Sequence, residues 1–78
     1  MKVFVLINKH KNRIKRFKSF ESNINQTNKF MEIEFGCVYK SMSKPVMKGS
    51  RIETIEVARK EYKELLKGGW KQTNIFEI

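Results

Sequence analysis

Two rhythms of apolar and polar residues divide this chain. Lys2 to Ile7 is β-branched and aromatic, too short for a stable helix, and predicts a strand buried on both faces. Asn8 to Asn12 is polar and predicts a hairpin loop, with Arg13 to Lys18 as the return strand. Ile14 and Phe17 have opposite parity, so this return strand is expected either to carry a bulge or to expose one of them. A helix competes for the same stretch, because Ile14, Phe17, Phe20 and Ile24 are spaced three, three and four apart. The hairpin is preferred: an apolar run, a short polar loop and a second run form a hairpin signature.

Ser19 to Asn28 is rich in Ser, Asn, Gln and Thr and predicts a surface loop. Strand character returns from Lys29 to Tyr39. Phe30, Glu32 and Glu34 share one parity there, and Met31, Ile33 and Phe35 share the core-facing one. Gly36 interrupts the run and marks a bulge or a strand end. Ser41 to Ser50, with Pro45 and Gly49, predicts a turn-rich connection.

The clearest element is a helix from Thr54 or Ile55 to Lys67, with Ile55, Ala58, Tyr62, Leu65 and Leu66 on one face. Thr54 is a candidate N-cap, in competition with a capping box from Ser50 to Glu53. Gly68-Gly69 supplies the stop. Trp70 follows, and Gln72 to Ile78 predicts a last short strand.

These elements predict an α+β fold: a small antiparallel sheet of three to four strands with one amphipathic helix packed on it, residues 1–78 forming a single domain. The helix face is expected to pack on Leu6, Ile33 and Phe35, with Trp70 closing the edge.

Charge alters this picture at one end of the chain. The first 20 residues hold seven Lys or Arg and no acidic residue, out of a formal net charge of +9. Crowded like charge costs self-repulsion and contributes nothing to a core, so it points to a polyanionic partner. RNA or DNA is the first expectation, with anionic protein or membrane surfaces behind it. Cys37 is the only cysteine, which excludes an intrachain disulfide and a cysteine-based metal cluster. A reducing, cytoplasmic location is expected. The apolar run Val3–Ile7 is too short for a signal sequence or a membrane span.

Catalytic chemistry is thinly supplied. His10 and Cys37 are the only residues of their kinds, and a nucleophile–base pair would need both in one cleft. Glu32 and Glu34 share a strand face, a spacing compatible with acid–base work, although exposed strand glutamates are usually solvent-facing. Gly68-Gly69 follows a helix, whereas a phosphate-binding loop precedes one. No enzyme activity, cofactor or metal is expected.

A resemblance follows from residues spread along most of the chain. Arg13 and Phe17, Glu34 and Gly36, Pro45, Arg51, and then Glu56, Ala58, Tyr62, Leu65, Gly69 and Trp70 form an ordered series. The series resembles a family of small uncharacterised cyanobacterial proteins, which brings no established activity with it. Tyr62 stands where that family more often has Trp. Asn28-Lys29-Phe30, Phe35-Gly36-Cys37-Val38 and the helix ending in Gly-Trp are also similar to parts of the WGR domain, a nucleic-acid-binding module. Phe35 and Cys37 replace the outer residues of the defining Trp-Gly-Arg, and the spacing from Phe30 to Gly36 is shorter than the strand pair expected there.

The functional expectation is therefore a non-catalytic nucleic-acid-binding module. Lys9, Lys11, Arg13, Lys15, Arg16 and Lys18 of the basic hairpin would contact phosphates, and Phe17, Phe20 and Phe30 would be candidate stacking platforms. The alternative is a small adaptor or regulatory subunit that binds a larger protein, as a dimer through an exposed sheet edge or Trp70.

Overall fold

A computed structural model describes residues 3–20 and 30–74, with Ser19 and Phe20 described by backbone alone. Of the loop expected over Ser19 to Asn28, Ser19 and Phe20 belong instead to a strand and residues 21–28 lie outside the described residues; of the strand expected over Gln72 to Ile78, only Gln72 is in a strand among the described residues, and residues 75–78 lie outside them.

Five strands form one sheet: β1 (Val3–Ile7), β2 (Arg13–Phe20), β3 (Phe30–Cys37), β4 (Val46–Thr54) and β5 (Lys71–Gln72), with helix α1 (Ile55–Lys67) between the last two. The order across the sheet is β4-β3-β2-β1-β5, and every neighbouring pair is antiparallel. The α+β class therefore holds, with more strands than the sequence pattern predicted. The added strand is β4, most of which was expected to be a connection. Pro45 and Gly49 suggested turns, and β4 is an edge strand whose half-buried and exposed residues carry little apolar signal. Residues 9–18 resolve as loop and strand, so the helical alternative is discarded.

The hairpin between β1 and β2 is built by two asparagines. Asn8 Oδ1 accepts from the amides of Asn12 and Arg13, each at 2.9 Å, and Asn8 Nδ2 donates to Asn12 Oδ1 at 2.6 Å. Lys11 adopts a left-handed conformation with φ 59°, which turns the chain back.

Strand β2 resolves its parity conflict by using both faces. Phe17 pairs with Phe4 and Ile33, Ile14 pairs with Ile7 and Gly36, and the register with β1 is regular. Ile14 and Phe17 are each only 1% exposed. The expectation that one of them must be exposed or bulged out is corrected, since alternation sends them to opposite faces of the sheet and both are buried there. The core under α1 is Leu6, Phe17, Ile33 and Ala58, with Met31, Tyr62, Leu65 and Trp70 packed against it. Tyr62 meets the rings of Phe17 and Phe4 edge-on, at 5.5 and 5.9 Å between centroids.

Two residues assigned to the core lie at its margin: Leu66 is 42% and Phe35 40% exposed. Leu65 takes the inward position beside Leu66. Phe35 spreads over Gly49, where an added Cβ would come within 2.8 Å of the ring.

The bulge expected near Gly36 is present, with its extra residue on the partner strand. Phe35 pairs with Gly49 and Gly36 with Met47, so Lys48 is left over on β4. A Cβ on Gly36 would sit 2.4 Å from the Val46 carbonyl oxygen, so only glycine permits this approach.

Thr54 caps α1, its hydroxyl accepting from the Val57 amide at 3.3 Å. The competing cap at Ser50 is not used, because Ser50 to Glu53 belong to β4. At the other end Trp70 N–H donates to Leu65 C=O and Gly69 N–H to Leu66 C=O, with Gly69 at φ 97°. This is the double bond of a Schellman motif, and it turns Trp70 back against the core. Among the described residues no helix is long and apolar enough to cross a membrane.

Candidate nucleic-acid interface

Because successive strand residues point to opposite faces, β2 cannot present its cations as one patch. Arg13 and Lys15 share the face of Phe17, under α1. Arg16 and Lys18 share the face of Ile14, which carries no helix among the described residues. Lys9 and Lys11 are exposed in the hairpin loop. The loop approaches the end of α1, with Lys9 Cβ 3.9 Å from where a side chain on Gly69 would begin. The six sequence-predicted residues thus separate into Lys9, Lys11, Arg13 and Lys15, and a second pair, Arg16 and Lys18.

The second pair is engaged by carboxylates. Arg16 donates from Nε and Nη2 to the two oxygens of Glu34, at 3.0 and 2.9 Å. Lys18 Nζ lies 2.8 Å from Glu34 and 3.5 Å from Glu32. The fork of Arg16, aided by Lys18, holds the Glu34 carboxyl below its ordinary range against a smaller opposing effect of burial. The hydrogen bond to Glu34 in turn raises Lys18. Glu32 and Glu34, considered for acid–base work, are therefore members of an ion ladder.

The helix side is arranged differently. Arg13, Lys15, Lys48 and Arg51 line a cleft of about 350 Å³ together with Phe35, Trp70, Ile14, Gly36 and Cys37. None of these lining residues is acidic. Just outside, Glu61 of α1 takes Lys15 at 3.2 Å and also Arg51, which reaches Glu53 at 3.2 Å. Lys15 Nζ stands 5.9 Å from the centre of the Trp70 ring, and Lys48 Nζ stands 5.6 Å from that of Tyr39. Arg13 is exposed and makes no ion pair among the described residues. Four cations, of which only Lys15 and Arg51 pair with carboxylates among the described residues, leave an electropositive hollow with two aromatic rings in its wall.

Lys48, Arg51 and Phe35 were not singled out as binding residues from the sequence, and Trp70 only as a protein contact in the adaptor alternative. The alternation of Gly49, Arg51 and Glu53 along β4 could have put Arg51 on the helix side, had β4 been read as a strand. Of the expected stacking residues, Phe17 is buried and unavailable, Phe30 is 47% exposed on the opposite face, and the Phe20 side chain lies outside the described residues.

Neither curated proteins nor solved structures yield a match to this chain. A family model described as "Protein of unknown function (DUF1651)" matches residues 6–75, a span that takes in the end of β1, the other four strands, α1 and the cleft. With nearly its whole length matched, the chain belongs to this family of small uncharacterised domains.

Proposed function

We propose that this chain is a non-catalytic nucleic-acid-binding module, and that the cleft between β2–β4 and Trp70 receives a single-stranded segment. The observation that carries this reading is the cleft's composition: four cations, two accessible aromatic rings and no acidic lining residue. Phosphates bind Lys and Arg through charge and counterion release, whatever the base sequence. Unpaired bases stack on aromatic faces, whereas the faces of paired bases are covered by their neighbours in the duplex. Phosphate contacts come from Lys9, Lys11, Arg13 and Lys15, joined by Lys48 and Arg51. Arg16 and Lys18 serve the ion ladder.

Fluorescence anisotropy with single-stranded RNA, single-stranded DNA and duplex DNA at two salt concentrations tests this reading. Single strands bind best, and affinity falls as salt rises. The double variant Arg13→Gln/Lys48→Gln lowers the salt slope by about 0.7 per lost phosphate contact. Phe35→Leu weakens binding by about 1–3 kcal/mol if a base stacks there. Equal binding by the double variant overturns the cleft. Absence of binding at low salt overturns the whole reading and leaves the adaptor role, tested by a protein partner that survives nuclease treatment.

A further inference from the structure

The helix-free face carries a pattern with a consequence of its own. Backbone pairing aligns its residues in rows across four strands. One row reads Val3–Lys18–Glu32–Ile52 and the next Val5–Arg16–Glu34–Ser50, from β1 to β4. Each has an aliphatic residue on β1, a cation on β2 and a carboxylate on β3, and the first closes with a second aliphatic residue on β4. Val3, Ile52 and Phe30, which extends this face by one step along β3, are 45%, 46% and 47% exposed. The two cations and two carboxylates cancel, so these two rows are neutral on a chain of net charge +9, and Lys71, paired with Ile7 on β5, adds its charge beyond them at the edge of the face.

We propose that this face is the contact surface of a face-to-face homodimer, related by a two-fold axis parallel to the strands and midway between β2 and β3. Such an axis keeps each residue's height along the strand and exchanges β1 with β4 and β2 with β3. Every row then meets its own reverse. Lys18 stands over the partner's Glu32, Arg16 over the partner's Glu34, and Val3 over the partner's Ile52. Sheets that pack face to face lie about 10 Å apart with strands nearly aligned, the geometry this axis produces. The charged positions lie nearest the axis, where sheet twist displaces them least.

A second copy fits better than an unrelated partner, because the row pattern is its own complement. A strongly basic chain can approach itself only where its charge is locally cancelled. The far end of the face adds little, since Ile14 is already buried within one copy. A patch of this width belongs among weak, reversible interfaces. The surface is separate from the cleft, so the inference does not depend on nucleic-acid binding.

Sedimentation velocity of the purified full chain, free of nucleic acid, over low-micromolar to millimolar concentration tests it. A concentration-dependent monomer–dimer equilibrium is expected. Ile52→Asp, at an exposed edge position, lowers the association constant at least about tenfold with an unchanged circular dichroism spectrum. Two charge-reversed chains, Arg16→Glu/Lys18→Glu and Glu32→Lys/Glu34→Lys, remain monomeric alone and associate when mixed. A monomer throughout the wild-type series overturns the proposal. So does a dimer that Ile52→Asp leaves intact, which would move the contact to another surface such as the β4 edge.

Discussion

The two faces of the sheet draw on the same strand and end in opposite electrostatic conditions. On the helix-free side, the cations of β2 stand directly across from Glu32 and Glu34 of β3 and are neutralised pair by pair. On the helix side, Arg13 and Lys15 stand across from Cys37 and Phe35, and Glu61 and Glu53 engage only two of the four cleft cations, Lys15 and Arg51. A basic run in a sequence therefore does not locate a basic surface. What locates it is the set of carboxylates that strand register places opposite each cation.

The largest expected break in this comparison comes from below the cleft. Phe17→Ala removes a fully buried ring from the core under α1 and should cost about 3–5 kcal/mol, a large part of the stability of so small a domain. Thermal unfolding followed by circular dichroism measures it. Leu66→Ala, at an exposed helix position, should stay within about 0.5 kcal/mol in the same assay.

A smaller effect sharpens the helix-free face. Glu34→Gln removes the acceptor shared by Arg16 and Lys18 and should cost about 1–2 kcal/mol at neutral pH, since the carboxylate is mostly buried by its neighbours. The sign of its pH dependence follows from the depressed Glu34 pKa. Its stabilisation is fully present above the ordinary carboxylate value of 4.5 and is lost as pH falls through the lower folded-state value. Lys18, raised above 10.5, contributes below that pH and loses its contribution as pH climbs through the raised value. Denaturation of wild type and Glu34→Gln should therefore converge in acid; parallel curves down to pH 2 would refute the ladder's role.

The smallest stability effect is expected in the cleft. Arg13→Gln and Lys48→Gln, both at exposed positions, should change stability by less than about 0.5 kcal/mol while lowering nucleic-acid affinity. Arg16→Gln should do the reverse, losing stability with little change in the salt slope. Matching changes in both assays for Arg13→Gln and Arg16→Gln would erase the distinction between the faces.

Much of the fold was legible because it rests on local chemistry. The apolar run of β1, the alternation of Met31 and Ile33, the helical spacing of Ala58, Tyr62 and Leu65, and the Gly68-Gly69 stop are each decided within a few residues. Strand β4 was not legible, because an edge strand needs no continuous apolar face and a bulge breaks its period at Lys48. The candidate site was half legible. Lys9, Lys11, Arg13 and Lys15 stood out by charge, whereas Arg51 and Phe35 join them only through the pairing of β3 with β4.

By itself, then, the sequence determined the class of fold, the ends of the helix, the hairpin and the excess of positive charge, all consequences of propensity and short-range spacing. The tertiary structure alone decided that Ile14 and Phe17 are both buried on opposite faces of the sheet, and that Arg16 and Lys18 are engaged by Glu34. It alone decided that Trp70, Phe35, Lys48 and Arg51 surround one hollow with Arg13 and Lys15. Those outcomes depend on which residues face each other across strands distant in sequence. Register sets that, and it is chosen by the burial of the whole sheet against one helix rather than by any segment alone.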